Sequence, residues 1–401
     1  ALYFQDGTPE GDEETTISDC HFYNCFATGD SHEGYAIYCR SYNIHITLCD
    51  FHEHKRGNIQ ENTKCIVYVE TNEDIAPTIS ELTFEDNTGV SGLIVKTTKK
   101  TVITGLHFRN MQDNSPCINF DYWETTEYFT IKDSTFNDII DARCIMMTDA
   151  TKKFLVIIEN CDFNNSKIQS DYAFEPEEDR RGRGASVFLK NNASVTIRKC
   201  NFYQNIAKEG GAIYAETSAI ELSSCHFREC QANLDDDGKG GAVYFNQIST
   251  AKYEFITGNI YIDCSASYSG GAIFIFCRDF NNPSRSTKLH SKFDDGDENL
   301  YVISISDSNF TGCTSGTEGG AVCSGEINPE TGLIEGDNDM EVINCYFTKC
   351  ESGKGGALYF QDGTPEGDEE TTINNCHFYD CYATKDPHEG YAIYCRSYKV
   401  N

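Results

Sequence analysis

Cysteine is the residue type in this sequence that could do the most chemistry. The chain has 20 cysteines in 401 residues, and a C-x-F-x-x-C motif starts at Cys20, Cys225, Cys345 and Cys376. Thiols at a fixed spacing can form disulfides, bind soft metals or pack as small apolar side chains. No C-x-x-C and no H-x-x-x-H pair occurs, so the spacings of zinc sites are absent. The cysteine content favours an oxidising compartment, with a cytosolic protein holding buried thiols as the alternative.

Carboxylates are the second candidate chemistry. They cluster in three stretches, Asp235–Gly238, Asp294–Asn299 and Glu335–Met340. Paired carboxylates can hydrolyse glycosides, and oxygen ligands can hold Ca²⁺. None of the stretches matches a known calcium-loop pattern, so we interpret them as solvated loops, with weak Ca²⁺ binding as the alternative. The sequence predicts no catalytic residue, no metal site and no resident cofactor.

The histidines offer little further chemistry. Only His52 and His54 are close in sequence, and two ligands do not make a metal site, so we expect both on the surface. His21, His226 and His377 each follow the first cysteine of a C-H-F motif, where strand alternation predicts an outward side chain.

Two short motifs recur along the whole chain and alternate strictly. The first is an aromatic motif, C-x-F-x-x-C and its variants; the second is G-G-A-[IVL]-[YF] and its variants. The aromatic anchors are Phe22, Phe51, Phe84, Phe108, Phe136, Phe163, Phe202, Phe227, Tyr261, Phe310, Phe347 and Phe378. The small-residue anchors are Ala36, Cys65, Leu93, Cys117, Cys144, Ala185, Ala212, Ala242, Ala272, Ala321, Ala357 and Ala392.

The segments around these anchors have the pattern of short strands. Stretches such as "ASVTIRKC" alternate polar and apolar residues, and no stretch has the periodicity and caps of a helix. A unit of roughly 30 residues without a helix buries its apolar side only by stacking on its neighbours. We therefore predict an all-β fold, a parallel β-helix of about twelve coils that runs as one continuous solenoid over residues 1–401. Gly-Gly would form a tight corner, and Asn or Cys three residues after the aromatic would mark the next one.

In this register the cysteines fall into two columns. Two residues before the aromatic anchor lie Cys20, Cys49, Cys161, Cys200, Cys225, Cys345 and Cys376. Three residues after it lie Cys25, Cys230, Cys264, Cys313, Cys350 and Cys381. Equivalent Cα atoms of adjacent coils are about 4.8 Å apart, within the range of a disulfide, so bridges such as Cys200–Cys225 or Cys230–Cys264 are feasible. The alternative is a column of buried thiols, and Cys65, Cys117 and Cys144 are expected to be plain core residues.

A much longer repeat contains all of these motifs. Residues 357–398 repeat residues 1–42 at 36 of 42 positions, an offset of 356 residues. We interpret residues 1–356 as one period and residues 357–401 as the start of the next, within a longer tandem array.

Composition narrows the classes of partner. The net charge of −31 argues against nucleic acid and anionic membrane surfaces as partners. No apolar run is long enough to cross a membrane. Sequons at Asn164, Asn192 and Asn309 are compatible with a secreted glycoprotein.

The alternating motifs resemble the polymorphic outer-membrane protein repeats, which carry GGA[ILV] and FxxN signatures. They also look like the same repeats in surface proteins of unicellular eukaryotes, here in a cysteine-rich form in which Cys often replaces the Asn of FxxN. The resemblance implies a right-handed parallel β-helix displayed at the cell surface or outside the cell, working in adhesion or as a surface structure.

Near-identity over so long a period favours a structural role over catalysis. We expect a non-enzymatic protein that stacks into an extracellular filament, surface hair or adhesin stalk, with itself as an end-to-end partner and host or matrix glycans as further partners. The alternative is a carbohydrate-binding or polysaccharide-cleaving β-helix, which predicts an exposed aromatic or acidic cluster within one groove.

Overall fold

A computed structural model describes the chain in 21 stretches. They are residues 2–5, 14–25, 34–41, 43–55, 65–71, 75–97, 99–113, 115–120, 129–147, 155–169, 182–190, 194–216, 219–234, 236–247, 253–277, 302–327, 334–335, 339–361, 370–385, 390–396 and 399–400. These residues form strands, turns and bends but no helix, so none of them belongs to a helix that could span a membrane. The chain divides into two compact units, Ala1–Asn201 and Phe202–Asn401.

One sheet in each unit is built from the strands that carry the small-residue motif, the glycine-motif strands. In the first unit they are Leu2–Gln5, Gly34–Ser41, Cys65–Thr71, Ser91–Lys96, Ile118–Asn119, Ile145–Met147 and Val187–Leu189. In the second unit they are Ile213–Glu216, Val243–Gln247, Ile273–Cys277, Val322–Ser324, Leu358–Gln361 and Ile393–Arg396. Neighbours are parallel, and Val67, for example, lies beside Ile37 on one side and Leu93 on the other.

A second sheet in each unit contains the aromatic anchors and the alternating residues before them. In the first unit its strands are Glu14–Ser18, His21–Tyr23, Asn43–His52, Thr78–Glu85, Thr101–Arg109, Phe129–Lys132, Thr135–Asn137, Leu155–Glu159, Asp162–Asn164 and Ser194–Arg198. In the second unit they are Ala219–Ser223, His226–Arg228, Tyr253–Thr257, Ile260–Ile262, Val302–Ser306, Asn309–Thr311, Asp339–Ile343, Tyr346–Thr348, Glu370–Asn374, His377–Tyr379 and Lys399–Val400. Strand Asn201–Tyr203 spans the division between the units.

The second unit has a third sheet of two-residue strands that follows the aromatic anchors. Its strands are Ile206–Ala207, Gln231–Ala232, Ser265–Ala266, Thr314–Ser315, Glu351–Ser352 and Tyr382–Ala383. The described residues of the first unit have single parallel bridges in this place, from Lys55 through Thr88 and Gln112 to Ile140 and Lys167. An antiparallel pair, Glu326–Ile327 with Ile334–Glu335, ends at the first residue of the acidic stretch Glu335–Met340.

The aromatic anchors stack as a ladder in the core of each unit. From Phe22 to Phe163 the successive ring centroids are 4.6–5.2 Å apart. From Phe202 to Phe378 they are 4.6–4.9 Å apart. Like residues at equivalent positions therefore contact each other, which is the stacking that the motif spacing predicts.

Two left-handed corners flank every aromatic anchor. The residues three before and two after each anchor have φ between 46° and 66°. Side chains at these positions include Leu48 and Lys199, which rarely adopt this conformation. The residue that turns the chain is thus two after the aromatic, and the predicted corner residue, three after it, begins the next segment with an inward side chain.

The Gly-Gly motif forms a third corner, as predicted. Gly240 has a φ of 66°, and a Cβ on Gly241 would lie 2.0 Å from the carbonyl oxygen of Gly271 in the next coil. The first glycine therefore supplies the left-handed conformation and the second allows the close approach of two backbones.

Both units are parallel β-helices, so the predicted fold class is confirmed. The two copies of the long repeat also fold alike. Tyr3 pairs with Tyr38 and their rings stack at 4.8 Å, and the copies of these residues, Tyr359 and Tyr394, pair and stack at 4.7 Å. The right hand of the helix, the twelve coils and the single continuous solenoid remain predictions.

Candidate functional site: the cysteine columns and their corners

The column two residues before the aromatic anchor lies directly after the first left-handed corner, and its side chains point inward. Cys49, Cys161, Cys200, Cys225 and Cys345 are buried, while Cys20 and Cys376 are half-buried. Strand alternation explains this placement, because the column lies two residues from an inward-facing aromatic.

Five thiols in this column lie within hydrogen-bonding distance of a backbone carbonyl in the preceding coil: Cys49, Cys161, Cys200, Cys345 and Cys376. In the first unit the Sγ of Cys161 is 3.9 Å from the carbonyl oxygen of Ile131, and the Sγ of Cys200 is 3.6 Å from that of Ile158. Asn259, two residues before Tyr261, occupies this column in the second unit and also bonds to the preceding coil. Its Nδ2 donates to the carbonyl oxygen of Leu222 at 2.9 Å, and its Oδ1 accepts a hydrogen bond from the N–H of Cys225 at 2.8 Å. In this column a cysteine therefore takes the place of an asparagine, with a smaller side chain and a longer hydrogen bond to the preceding coil.

The column three residues after the aromatic anchor repeats this geometry. In the second unit Cys230, Cys264, Cys313, Cys350 and Cys381 follow one another on successive coils. Their Sγ atoms lie 3.4–3.8 Å from the carbonyl oxygen of the aromatic residue in the preceding coil. The first four are buried and Cys381 is half-buried.

Neighbouring thiols within these columns interact with each other. The hydrogen bond with the Cys200 thiol, together with burial, raises the pKa of Cys161. Burial raises the pKa of Cys49 to about 11. Cys49 and Cys161 are therefore neutral at pH 7 and poor nucleophiles. Other members of the columns have the opposite shift: the hydrogen bond with the Cys345 thiol lowers the pKa of Cys376 to about 7, and that with the Cys313 thiol lowers the pKa of Cys350 to about 4.

None of the 19 cysteines whose side chains the structure describes is part of a disulfide. The columns bring neighbouring thiols together in several places, for example Cys161 with Cys200, Cys230 with Cys264 and Cys345 with Cys376, and oxidation of such a pair would bridge two coils. Cys200 and Cys225 fall on opposite sides of the division between the units. Disulfide bonding in the columns remains a prediction.

The cysteines at the small-residue anchor are core residues, as expected. Cys65, Cys117 and Cys144 are fully buried, and the Sγ of Cys144 lies 3.2 Å from the Oγ of Ser166. Burial raises the pKa of the Cys144 thiol to about 12.

The prediction that His54 lies on the surface is wrong. His54 is three residues after Phe51, in the same column as the cysteines, and its side chain is fully buried. Its Nδ1 is 3.2 Å from the Oδ1 of Asn87, while its Nε2 is buried without a hydrogen-bond partner among the described residues. Burial lowers the pKa of His54 to about 4, so the ring is neutral at pH 7. In the sequence, the feature that indicates this burial is the position of His54 three residues after Phe51 in "CDFHEH".

His52, by contrast, points away from the core, and its Nδ1 lies 3.4 Å from the Oε2 of Glu85. His21, His226 and His377 are exposed, as strand alternation predicts.

The sequons differ in how their asparagines are held. Asn164 is half-buried, and its Nδ2, the atom that would carry a glycan, donates to the Oδ1 of Asn137 at 2.9 Å. Asn309 is exposed on strand Asn309–Thr311. Asn192 lies outside the described residues. Of these asparagines, Asn309 is the one presented to solvent in the described part of the chain.

Most of the acidic stretches lie outside the described residues, including all of Asp294–Asn299 and parts of Asp235–Gly238 and Glu335–Met340. Asp236 and Asp237 are exposed, and the Oδ1 of Asp237 is 3.2 Å from the Nζ of Lys208. Across the described ranges, no three His, Cys, Asp or Glu side chains are grouped as metal ligands.

Sequence reasoning missed ladders of polar side chains at the left-handed corners. The Nδ2 of Asn160 donates to the Oδ1 of Asp133 at 2.5 Å, and the Nδ2 of Asn165 donates to the Oδ1 of Asp138 at 2.6 Å. These bonds join equivalent corners of adjacent coils, so Asn and Asp serve both the turn and the stack. The recurrence of Asn and Asp three before and two after the aromatic was the available signal.

Comparison with protein-family models, with curated proteins and with solved structures found no match for this chain.

Proposed function

We propose that this chain is a non-enzymatic structural protein whose stacked coils build an extracellular filament, surface hair or adhesin stalk. The observation that carries the proposal is the equivalence of the two repeat copies. Strand Leu2–Gln5 pairs with Gly34–Ser41 in the same register as Leu358–Gln361 pairs with Ile393–Arg396. A sequence period that is also a structural period lets stacking continue without a new kind of contact.

The character of the columns supports a structural role. Fully buried thiols such as Cys264 and Cys313 bond to backbone carbonyls of adjacent coils, and the ring of Phe310 lies stacked between its neighbours. The thiols of Cys264 and Cys313, which could otherwise act as nucleophiles, thus stabilise the contact between adjacent coils. A location outside the cell or on its surface belongs to the same proposal, because an oxidising compartment would let stacked thiols be bridged.

Electron microscopy of material from the native source tests this function. We expect elongated particles labelled along their length by antibodies to the chain, and intact-mass analysis before and after deglycosylation should show an attached glycan. Isolated globular particles inside cells, with reduced cysteines and no glycan, would refute it.

A second function, glycan binding, is favoured by one specific observation. Tyr346, Tyr379 and Tyr382 of the second unit are 46–66% exposed, and Tyr346 stacks on His377 at 4.7 Å. Exposed aromatic side chains are suited to contact sugar rings. Binding to a panel of host or matrix polysaccharides that is lost in Tyr379→Ala, with the fold retained, would establish this function, and unchanged binding would exclude this surface.

A further inference from the structure

The outer face of the aromatic sheet changes character beside one sequon. The residue directly before each aromatic anchor points outward, because strand alternation turns the anchor itself inward. At the anchors from Phe22 to Phe227 this outward residue is polar: His21, Asp50, Thr83, His107, Thr135, Asp162, Asn201 and His226. At the next three anchors it is Ile260, Asn309 and Tyr346. The asparagine of the sequon is thus flanked by two apolar residues at a position that is polar elsewhere.

The strand register places Asn309 directly between these neighbours. It pairs with Ile260 on one side and with Tyr346 on the other. Its side chain is exposed, and its Nδ2 has no hydrogen-bond partner among the described residues. Asn164, by contrast, uses its Nδ2 to bond to the neighbouring coil. Asn309 can therefore carry a group on Nδ2 without breaking a contact of the fold.

Tyr346 turns one face of its ring toward Asn309. The other face stacks on His377, with the ring centroids 4.7 Å apart and the ring planes at 14°. The ring therefore lies across the stacking direction, and its uncovered face is directed at the preceding coil, where Asn309 lies. Tyr346 is 53% exposed although strands pair with its own strand on both sides. This exposure is thus a property of the outer face.

The spacing of these coils suits a stacked sugar ring. The ring centroids of the adjacent anchors, Phe310 and Phe347, are 4.9 Å apart. A pyranose bonded to the Nδ2 of Asn309 is held at a similar separation from Tyr346, and its C–H groups can contact the negative face of the aromatic ring. Because the sugar is covalently tethered, its effective concentration at the ring is high, so even a weak contact is populated.

We propose that an N-acetylglucosamine-type sugar attached to the Nδ2 of Asn309 stacks on Tyr346. In the attachment, Nδ2 loses a proton and bonds to C1 of the sugar, while the bond from C1 to a lipid diphosphate carrier breaks. This inference rests on the proposed function, because attachment requires a secreted chain, and it names the side chain that receives the sugar. The sugar then extends the stack of His377 and Tyr346 by one ring and stabilises the contact between two coils.

NMR of the full chain, secreted from a glycosylating host and trimmed to one N-acetylglucosamine at each occupied site, tests the contact. Mass analysis should find the sugar on Asn309, and the ring current of Tyr346 should shift its C–H protons upfield. The shift should disappear in Tyr346→Thr, which installs the residue type of Thr135, and should persist in the control Tyr379→Thr, an exposed tyrosine that does not pair with Asn309. An unmodified Asn309, or identical shifts in the wild type and Tyr346→Thr, would overturn the proposal.

A cycle of sequon and tyrosine variants measures the stabilisation. Thr311→Val removes the sequon and keeps the shape of the side chain, whereas Thr311→Ser retains the sequon and is the matched control. In urea titration, loss of the sugar should raise the unfolding equilibrium constant about threefold or more when Tyr346 is present, and by less than about 1.5-fold in Tyr346→Thr. An equal effect in both backgrounds would show that the sugar does not stack on the tyrosine.

Further measurements separate this inference from glycan binding and from the structural function. Free N-acetylglucosamine oligosaccharide should shift the Tyr346 signals of Thr311→Val only at millimolar concentrations, because the tether is missing, and saturation at micromolar concentrations would assign Tyr346 to external glycans instead. Filaments in the native material without a sugar on Asn309 would contradict this inference and leave the structural function standing. A sugar stacked on Tyr346 in a chain that forms no elongated particles would do the reverse.

Discussion

Replacing His54 should make the chain less sensitive to acid. The imidazole is fully buried, its Nδ1 is held by Asn87, and burial lowers its pKa to about 4 against an ordinary value of 6.5. His52, the neighbouring imidazole, lowers the pKa further when it is charged. Protonation of His54 would therefore place a charge in the core without a compensating partner.

The sign and size of the effect follow from proton linkage. Because the folded-state pKa is depressed, the unfolded chain takes up the proton first as the pH falls. The full contribution to stability is present above pH 6.5 and is lost progressively as the pH approaches 4. The gap between the two pKa values corresponds to roughly 3 kcal/mol, of which about 2 kcal/mol is lost between pH 7 and pH 5.

Urea unfolding at pH 7 and pH 5 measures this contribution. The His54→Asn variant carries a non-titrating amide of the kind that Asn87 provides in the next coil. Its free energy of unfolding should therefore fall by about 2 kcal/mol less than that of the wild type between the two pH values. His226→Asn, which changes an exposed imidazole, is the matched control and should follow the wild type. Equal pH dependence in His54→Asn and the wild type would refute the buried, neutral histidine.

Three further substitutions test the packing at single positions. Phe108→Ala removes a fully buried ring from the middle of the ladder and should cost about 3–5 kcal/mol of unfolding free energy in urea titration, whereas a loss below about 1 kcal/mol would contradict the ladder. Gly241→Ala drives a Cβ into a backbone carbonyl and should lower the melting temperature more than Gly258→Ala, which adds only the strain of an alanine at a φ of 65° because its Cβ meets no atom closer than 3.8 Å; similar losses would contradict the close approach. Asn259→Ala leaves buried backbone groups without partners and should cost about 1–3 kcal/mol, while Asn259→Cys should recover part of that loss, and no recovery would show that the thiol does not replace the amide.

The fold could be predicted because its determinants recur. The aromatic and the small-residue anchors each appear many times in strict alternation, and a stack brings equivalent residues together. Phe202 and Phe227, 25 positions apart, stack at 4.6 Å as the register requires. The Gly-Gly corner was predictable because only glycine tolerates both its φ and its close backbone contact.

The left-handed corners beside the aromatic anchors were harder to predict from the sequence than the Gly-Gly corner. Asn and Asp recur at the left-handed position before the aromatic, but Leu48 and Glu81 occupy it in successive coils after Asp19, so residue type marks it only in part. The stack imposes this conformation, since the backbone N–H of Asp19 donates to the oxygen of Thr47 in the following coil at 3.2 Å. Local propensity does not report a conformation that the neighbouring coil dictates.

His54 was misjudged for a related reason. Its column holds Asn, Met and Cys in other coils, so the column fixes burial but not the residue type. The residue type of His54 does not indicate that it is buried, whereas its position three residues after Phe51 does. The short third sheet of the second unit also had no signature, because strands such as Gln231–Ala232 are too short to show a period.

A double-mutant cycle tests the central claim most directly, that equivalent residues of successive coils lie against each other. Phe84 and Phe108 are 24 residues apart, and their ring centroids are 4.6 Å apart. Alanine substitutions at these two positions should show a coupling of about 0.5–1.5 kcal/mol, whereas the pair Phe51 and Phe136, which are not ladder neighbours, should be additive. Additivity of Phe84 and Phe108 would contradict the stacked coils on which the proposed assembly depends.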